Sequence, residues 1–229
     1  MTRVFVMGNG PSLKDAPFNL LENEACLAMN RINFMWNEVI PGLKWRPTHY
    51  LKIDHNFYTH TTWKDEVMEV VSTGIPCYMW DGFKDGLPEK HPNHDTLPDG
   101  IGDHPNITWL PRCEHHYYMA PNPMGSQGWH EPVCTGYGGM STMLQIAARM
   151  FDEIYLLGCD LNYGSDYKKN HFTDKYCDDM RDRSEMDNLN MMKLHEMAKE
   201  CSPVPIYNAT PGGSLEVYPR VNILDVLNG

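Results

Sequence analysis

The sequence predicts an α/β protein of the Rossmann-like kind, with a mainly parallel sheet, helices on both faces and a loop-rich insertion over residues 81–133. Three observations predict it. Short, nearly all-apolar strand patterns recur, first Val4-Phe5-Val6-Met7 and later Ile154-Tyr155-Leu156-Leu157, as expected of strands buried on both faces. Segments of helical period alternate with them. A glycine turn, Gly8-Asn9-Gly10-Pro11-Ser12, follows the first strand directly.

Taken in order, Arg3 to Met7 reads as the first strand, and Ser12 is expected to cap the helix after the turn, with Asp15 completing a capping box. Ala25 to Met29 and Thr48 to Ile53 read as the next two strands, the latter ending on Asp54. Thr61 to Ser72 has helical composition, with Val67, Val70 and Val71 for one face, and Gly74 stops it before a strand at Pro76 to Trp80. From Asp81 to Val133 the rhythm breaks: Pro, Gly, His and Asn are frequent and only Ile107 to Leu110 is strand-like. An insertion of this size in a compact domain reads as a lid or binding loop. Regularity returns with a helix over Gly138 to Phe151, a buried strand over Glu153 to Gly158, and an amphipathic helix over Asp178 to Glu200 with Met191, Leu194 and Met197 on one side. A strand at Val204 to Tyr207, the turn-rich Asn208-Ala209-Thr210-Pro211-Gly212-Gly213 and a short helix near Val221 to Leu227 close the pattern. A length of 229 residues fits a single Rossmann-like domain.

Composition excludes several classes. A formal charge of -11 repels phosphate backbones, so no nucleic-acid surface is expected, and any anionic ligand must be held by backbone amides. No apolar run approaches the roughly 18 residues of a membrane span. Met1-Thr2-Arg3 passes straight into a strand pattern without the parts of a signal peptide, and seven scattered cysteines lack a framework spacing. A cytoplasmic protein without disulfides is therefore expected. The 16 methionines read mainly as core filling.

Two segments carry chemistry. In the first turn, Gly8 and Gly10 would let backbone approach a phosphate or sugar at a helix N-terminus, and Asn9 adds a donor and an acceptor. The same turn also forms without a ligand, with Asn9 in a left-handed conformation. It is neither a full dinucleotide fingerprint nor a Lys-bearing P-loop. The second segment follows the Ile154 strand: Gly158-Cys159-Asp160-Leu161-Asn162-Tyr163, then Tyr167 and His171. Asp160 at the strand's carboxyl end is suited to a nucleoside hydroxyl or base edge, and two tyrosines and an imidazole are suited to a reacting group. The alternative is a loop whose tyrosines pack by their rings and whose His171 is solvated. In the insertion, His91-X-X-His94 and Cys113-X-X-His116 have the spacing of a closed zinc site, set against a solvated, His-rich loop.

Val6-Met7-Gly8-Asn9-Gly10-Pro11-Ser12-Leu13-Lys14, Met29-Asn30, and the run from Gly138-Gly139 through Glu153 to Asp160 resemble the bacterial sialyltransferases of the Campylobacter lipooligosaccharide kind and the related central domain of motility accessory factors. Ile206 to Leu215 resembles the 6-hydroxymethylpterin diphosphokinase (MptE-like) branch of the same superfamily. The sialyltransferase resemblance implies that Gly8, Asn9, Gly10, Ser12 and Asn30 contact a cytidine monophosphate sugar donor. It implies that Tyr163 and Tyr167 stabilise the leaving phosphate, and that His171 is the general base. Asp54 stands where that family has Asn, and Tyr137-Gly138-Gly139 where it has Thr-Ser-Gly. The expected nucleotide site therefore comprises Gly8, Asn9, Gly10, Ser12, Asn30, Asp54, Gly138, Gly139, Gly158 and Asp160.

The function implied is transfer of a sialic-acid-like sugar from a nucleotide-sugar donor to a glycan or other hydroxyl acceptor, with no metal required; a homo-oligomer is compatible with it. The MptE-like resemblance implies instead diphosphoryl transfer from ATP to a pterin, with magnesium on Asp54 or Asp160. A third reading is a non-catalytic nucleotide-binding module.

Overall fold

The computed structural model describes residues 1–53, 63–86, 100–111, 133, 135, 138–176 and 185–229, with the backbone alone at Trp63, Tyr167 and 185–187. Seven strands form one sheet: β1 (Arg3–Met7), β2 (Ala25–Met29), β3 (His49–Lys52), β4 (Cys77–Trp80), β5 (Ile107–Leu110), β6 (Glu153–Leu157) and β7 (Ile206–Asn208). Their order is β5-β4-β3-β2-β1-β6-β7, and every pairing is parallel. The Rossmann-like α/β architecture expected from the sequence is present.

The period of two along each strand explains why the strands read as continuous apolar runs. In β1, Phe5 and Met7 enter one core and Val4 and Val6 the other; in β6, Tyr155 and Leu157 join the first, Ile154 and Leu156 the second. Helix α1 (Trp63–Val71) covers the first face with Val67, Val70 and Val71, joined by Ile223 of α4 (Ile223–Asn228). Helix α2 (Gly139–Met150) covers the second with Met140, Met143, Leu144 and Ala147, and α3 (Glu185–Cys201) adds Ala198. Both faces are thereby removed from water, at roughly 1.5–3 kcal/mol for each large apolar side chain fully buried. Met7, Met35, Met79, Met140 and Met143 lie in these cores, as core filling requires.

Several local expectations change. The turn after β1 opens a 3-10 helix over Pro11–Asp15 without a side-chain cap, so the Ser12–Asp15 capping box does not form. Asn9 is not left-handed; among the described non-glycine residues that conformation belongs to Asn30 (φ 55°) and Leu161 (φ 51°). The last strand starts two residues later and ends one residue later than the sequence pattern suggests. The last helix begins at Ile223 because the Asn222 side chain accepts from the Leu224 amide at 2.9 Å. Within 81–133, β5 joins the sheet edge and Phe83 is fully buried. The start of the predicted Asp178 helix lies outside the described residues. No helix among the described residues is long and apolar enough to cross a membrane.

Candidate functional site

The strand order reverses at β1, which has β2 on one side and β6 on the other. In open parallel sheets the crevice at the carboxyl ends of such a strand pair is where ligands bind. An open cleft of about 480 Å³ lies there, lined by the Gly8–Pro11 turn, Met29, Met140, residues 158–163, Asn170, Met191 and His195.

The glycines of the turn bring one loop directly against another. The Gly8 amide donates to the Leu157 carbonyl at 2.7 Å and the Gly10 amide to the Gly158 carbonyl at 2.8 Å. A Cβ on Gly8 would stand 2.3 Å from the Gly158 oxygen, and one on Gly10 2.0 Å from Asp160 Oδ2. Gly158 has φ +66° and would press a Cβ to 2.8 Å from that of Leu13. The close approach these glycines permit is thus of one loop to another. Backbone meets backbone, and the cleft acquires a wall with no slack.

Asp160 fastens that wall. Its Oδ2 accepts from the Ser12 hydroxyl at 2.8 Å and from the Ser12 amide at 3.3 Å, supplying from 148 residues away the carboxylate that Asp15 does not provide. Behind it sits the turn-rich C-terminal motif. Thr210 Oγ1 accepts from the Cys159 amide at 3.1 Å, and the Asp160 carbonyl accepts from the Ser214 amide at 2.7 Å. Gly213 (φ +76°) lies so close to Asp160 that a Cβ would reach 2.6 Å from its carbonyl oxygen. Arg220 holds the far side by donating to the carbonyls of Thr210, Gly212 and Gly213. The segment Asn208 to Gly213 is therefore a brace for the end of β6.

Asn9 lines the cleft and is 7% exposed. Its Nδ2 reaches the Met29 carbonyl at 3.4 Å, while its Oδ1 is buried with no partner. A buried acceptor left unpaired costs about 1–3 kcal/mol, which a donor on a bound ligand would recover. Nearby, Gly138 (φ 86°) starts α2 without a side-chain cap. Gly139 packs so tightly on Met29 that a Cβ would approach its sulfur to 2.6 Å.

The opposite wall is built differently. The loop after β6 turns on the left-handed Leu161 and hangs from two asparagine side chains. Asn188 of α3 accepts from the Tyr163 amide at 3.0 Å and donates to its carbonyl at 2.7 Å. Asn170 does the same for Gly164 at 2.9 and 3.0 Å. Tyr163 is thereby set in the cleft lining.

His171 adjoins this wall rather than lining it: its Nδ1 is 3.3 Å from the Asn9 carbonyl, its ring stacks on Tyr176 at 4.1 Å, and Tyr163 is 6.2 Å away. Asn30 caps β2 in its left-handed turn and does not line the cleft, its carbonyl accepting from the Tyr50 hydroxyl at 2.6 Å. Asp54, Tyr137, His91, His94, Cys113 and His116 lie outside the described residues, as does the Tyr167 side chain. Among the described residues, no group of three or more His, Cys, Asp or Glu converges as a metal site.

Sequence reasoning missed His195. This α3 residue lines the cleft, is 4% exposed, and packs edge-on to Tyr218 at 5.5 Å. Burial lowers its pKa to about 4. The signal was present: Met191, Leu194, His195 and Ala198 follow the i, i+3, i+4, i+7 spacing of a buried helix face.

No protein-family model matches the sequence, and no curated protein matches it at a meaningful level. Among solved structures, a MAf glycosyltransferase from Magnetospirillum magneticum AMB-1 superposes with a TM-score of 0.52 at 13% identity, over 96% of this chain and 33% of that one. The likeness is one of fold. The chain spans about a third of that protein's length.

Proposed function

We propose that the protein is a glycosyltransferase that moves a sialic-acid-like sugar from a nucleotide-activated donor, a CMP-sugar, to an acceptor hydroxyl. The observation that carries this reading is the cleft at the β1–β6 reversal with the buried, unpartnered Asn9 Oδ1 in its wall. The resemblance of the glycine turn to sialyltransferases and the fold shared with a glycosyltransferase support it.

Charge supports it further. Among the described residues, those lining the cleft include no Lys or Arg, and their one carboxylate, Asp160, already accepts from Ser12. Such a lining suits the single phosphodiester of a CMP-sugar, held by the backbone amides at the start of α2, better than a triphosphate. On this reading the acceptor hydroxyl gives its proton to an imidazole, its oxygen attacks the anomeric carbon, and the bond to the nucleotide phosphate breaks. Tyr163 and Tyr167 donate to the departing phosphate. No metal is needed for these steps.

A thermal-shift comparison of CMP, CDP, UDP, GDP, ATP with magnesium, and pterins tests the reading. A ligand at 100 times its Kd stabilises the native state by about 2.7 kcal/mol. Stabilisation by CMP without metal is expected. Stabilisation by ATP with magnesium and a pterin alone would replace the proposal with diphosphoryl transfer, and no response to any of them would leave a module for another ligand.

A further inference from the structure

We infer that His195 is the proton-accepting imidazole of the cleft and that Tyr218 is its positioning residue, fixing which ring nitrogen faces the ligand; the base role rests on the glycosyl-transfer reading, the positioning role does not.

The assignment follows from counting protons. The Tyr218 hydroxyl lies 3.0 Å from the His195 carbonyl and 3.1 Å from His195 Nδ1. A carbonyl oxygen only accepts, so the single hydroxyl proton of Tyr218 points there. The Tyr218 oxygen must then accept from Nδ1, which places the ring proton on Nδ1. In the neutral ring Nε2 consequently carries a lone pair. No group among the described residues bonds Nε2, and the residue lines the cleft. Burial keeps the ring uncharged at neutral pH, as a proton acceptor must be. The helix backbone and the side chain are thus tied to the same hydroxyl, and the imidazole has little freedom to flip.

His171 is held otherwise. Its Nδ1 reaches the Asn9 carbonyl and its ring stacks on Tyr176, outside the cleft lining. In the transfer step His195 Nε2 takes the acceptor proton as the acceptor oxygen bonds to the anomeric carbon. The electron pair of the broken bond leaves on the nucleotide phosphate. The imidazolium keeps its Nδ1–H bond to Tyr218, and the departing phosphate supplies the opposite charge.

The test is two-bond ¹H–¹⁵N correlation NMR on the ¹⁵N-histidine-labelled full chain, with His195→Gln assigning the resonance. His195 is expected as the Nδ1–H tautomer at neutral pH, and Tyr218→Phe is expected to move the proton toward Nε2. An Nε2–H ring in the unaltered protein, or a tautomer unchanged by Tyr218→Phe, overturns the positioning role; if the variant does not fold, the tautomer of the unaltered protein decides the point by itself. Saturating CMP is expected to shift the Nε2 resonance, and a bound nucleotide that leaves it unmoved overturns the base role. If CMP fails to stabilise the protein at all, the nucleotide-sugar reading falls and the base role with it, while the tautomer still decides the part played by Tyr218.

Discussion

The two walls of the cleft are held by opposite means. On the β1–β6 side, backbone touches backbone: Gly8 and Gly10 bond the carbonyls of Leu157 and Gly158, and no Cβ fits between the loops. On the α3 side, side chains reach across to backbone, with Asn188 and Asn170 each satisfying an amide and a carbonyl at once. The first wall tolerates no added atom, and Asp160, Thr210 and Arg220 fasten it from behind. The second has room but depends on particular side chains. A close-packed wall is therefore most sensitive to insertion, and a clipped wall to deletion.

The largest effect should come from insertion. Gly10→Ala places a carbon 2.0 Å from Asp160 Oδ2 and 2.7 Å from the Gly158 carbonyl oxygen, and is expected to cost about 3 kcal/mol or more, read as a lowered urea midpoint. Adding Asp160→Ala should recover part of the loss, since the carboxylate moves out of the way while the carbonyl remains. A double-mutant cycle with no coupling would show that the two loops part before they clash.

Next in size is an acid effect of His195. Its native pKa, about 4, lies below the ordinary 6.5, so the unfolded chain binds the proton first as pH falls. Stability should therefore be complete above about pH 6.5 and decline toward pH 4, by roughly 3 kcal/mol in all. Urea titrations across that window should show a steeper decline for the unaltered protein than for His195→Gln; equal slopes would mean the ring is not desolvated.

Asp160→Ala alone should cost about 2 kcal/mol, because Ser12 loses the acceptor of both its amide and its hydroxyl. Asn188→Ala should cost only about 1–2 kcal/mol while raising amide exchange at Tyr163, whose backbone it clips. If exchange at Tyr163 stays at the unaltered rate, the second wall is held by its packing and not by its clips.

What is legible in the sequence follows the same division. Strands with one residue in each core, such as Phe5 beside Val4, announce themselves because burial on both faces leaves an unbroken apolar run. The glycine turn at the end of the first strand and the Gly158 to Tyr163 segment at the end of another mark the place of the site. Partners distant in sequence are not legible. Local capping makes Asp15 the near choice for Ser12, whereas the bond goes to Asp160 across the sheet. The residues of Asn208–Gly213 announce a turn without disclosing that it braces β6. The helical spacing of Met191, Leu194, His195 and Ala198 is legible, but the Tyr218 hydroxyl that pairs with the buried ring, 23 residues on, is not.

The pairing of Phe5 with Tyr155 also bears on how the molecule comes to be folded. Sheets built from parallel strands so far apart along the chain must close long loops before those contacts repay the entropy, which slows folding. Gly10 waits for Gly158, and Asp160 for Ser214. Refolding should therefore restore helical signal early and the protection of the Gly8 and Gly10 amides from exchange late, with the cleft arriving only when widely separated stretches of chain have met.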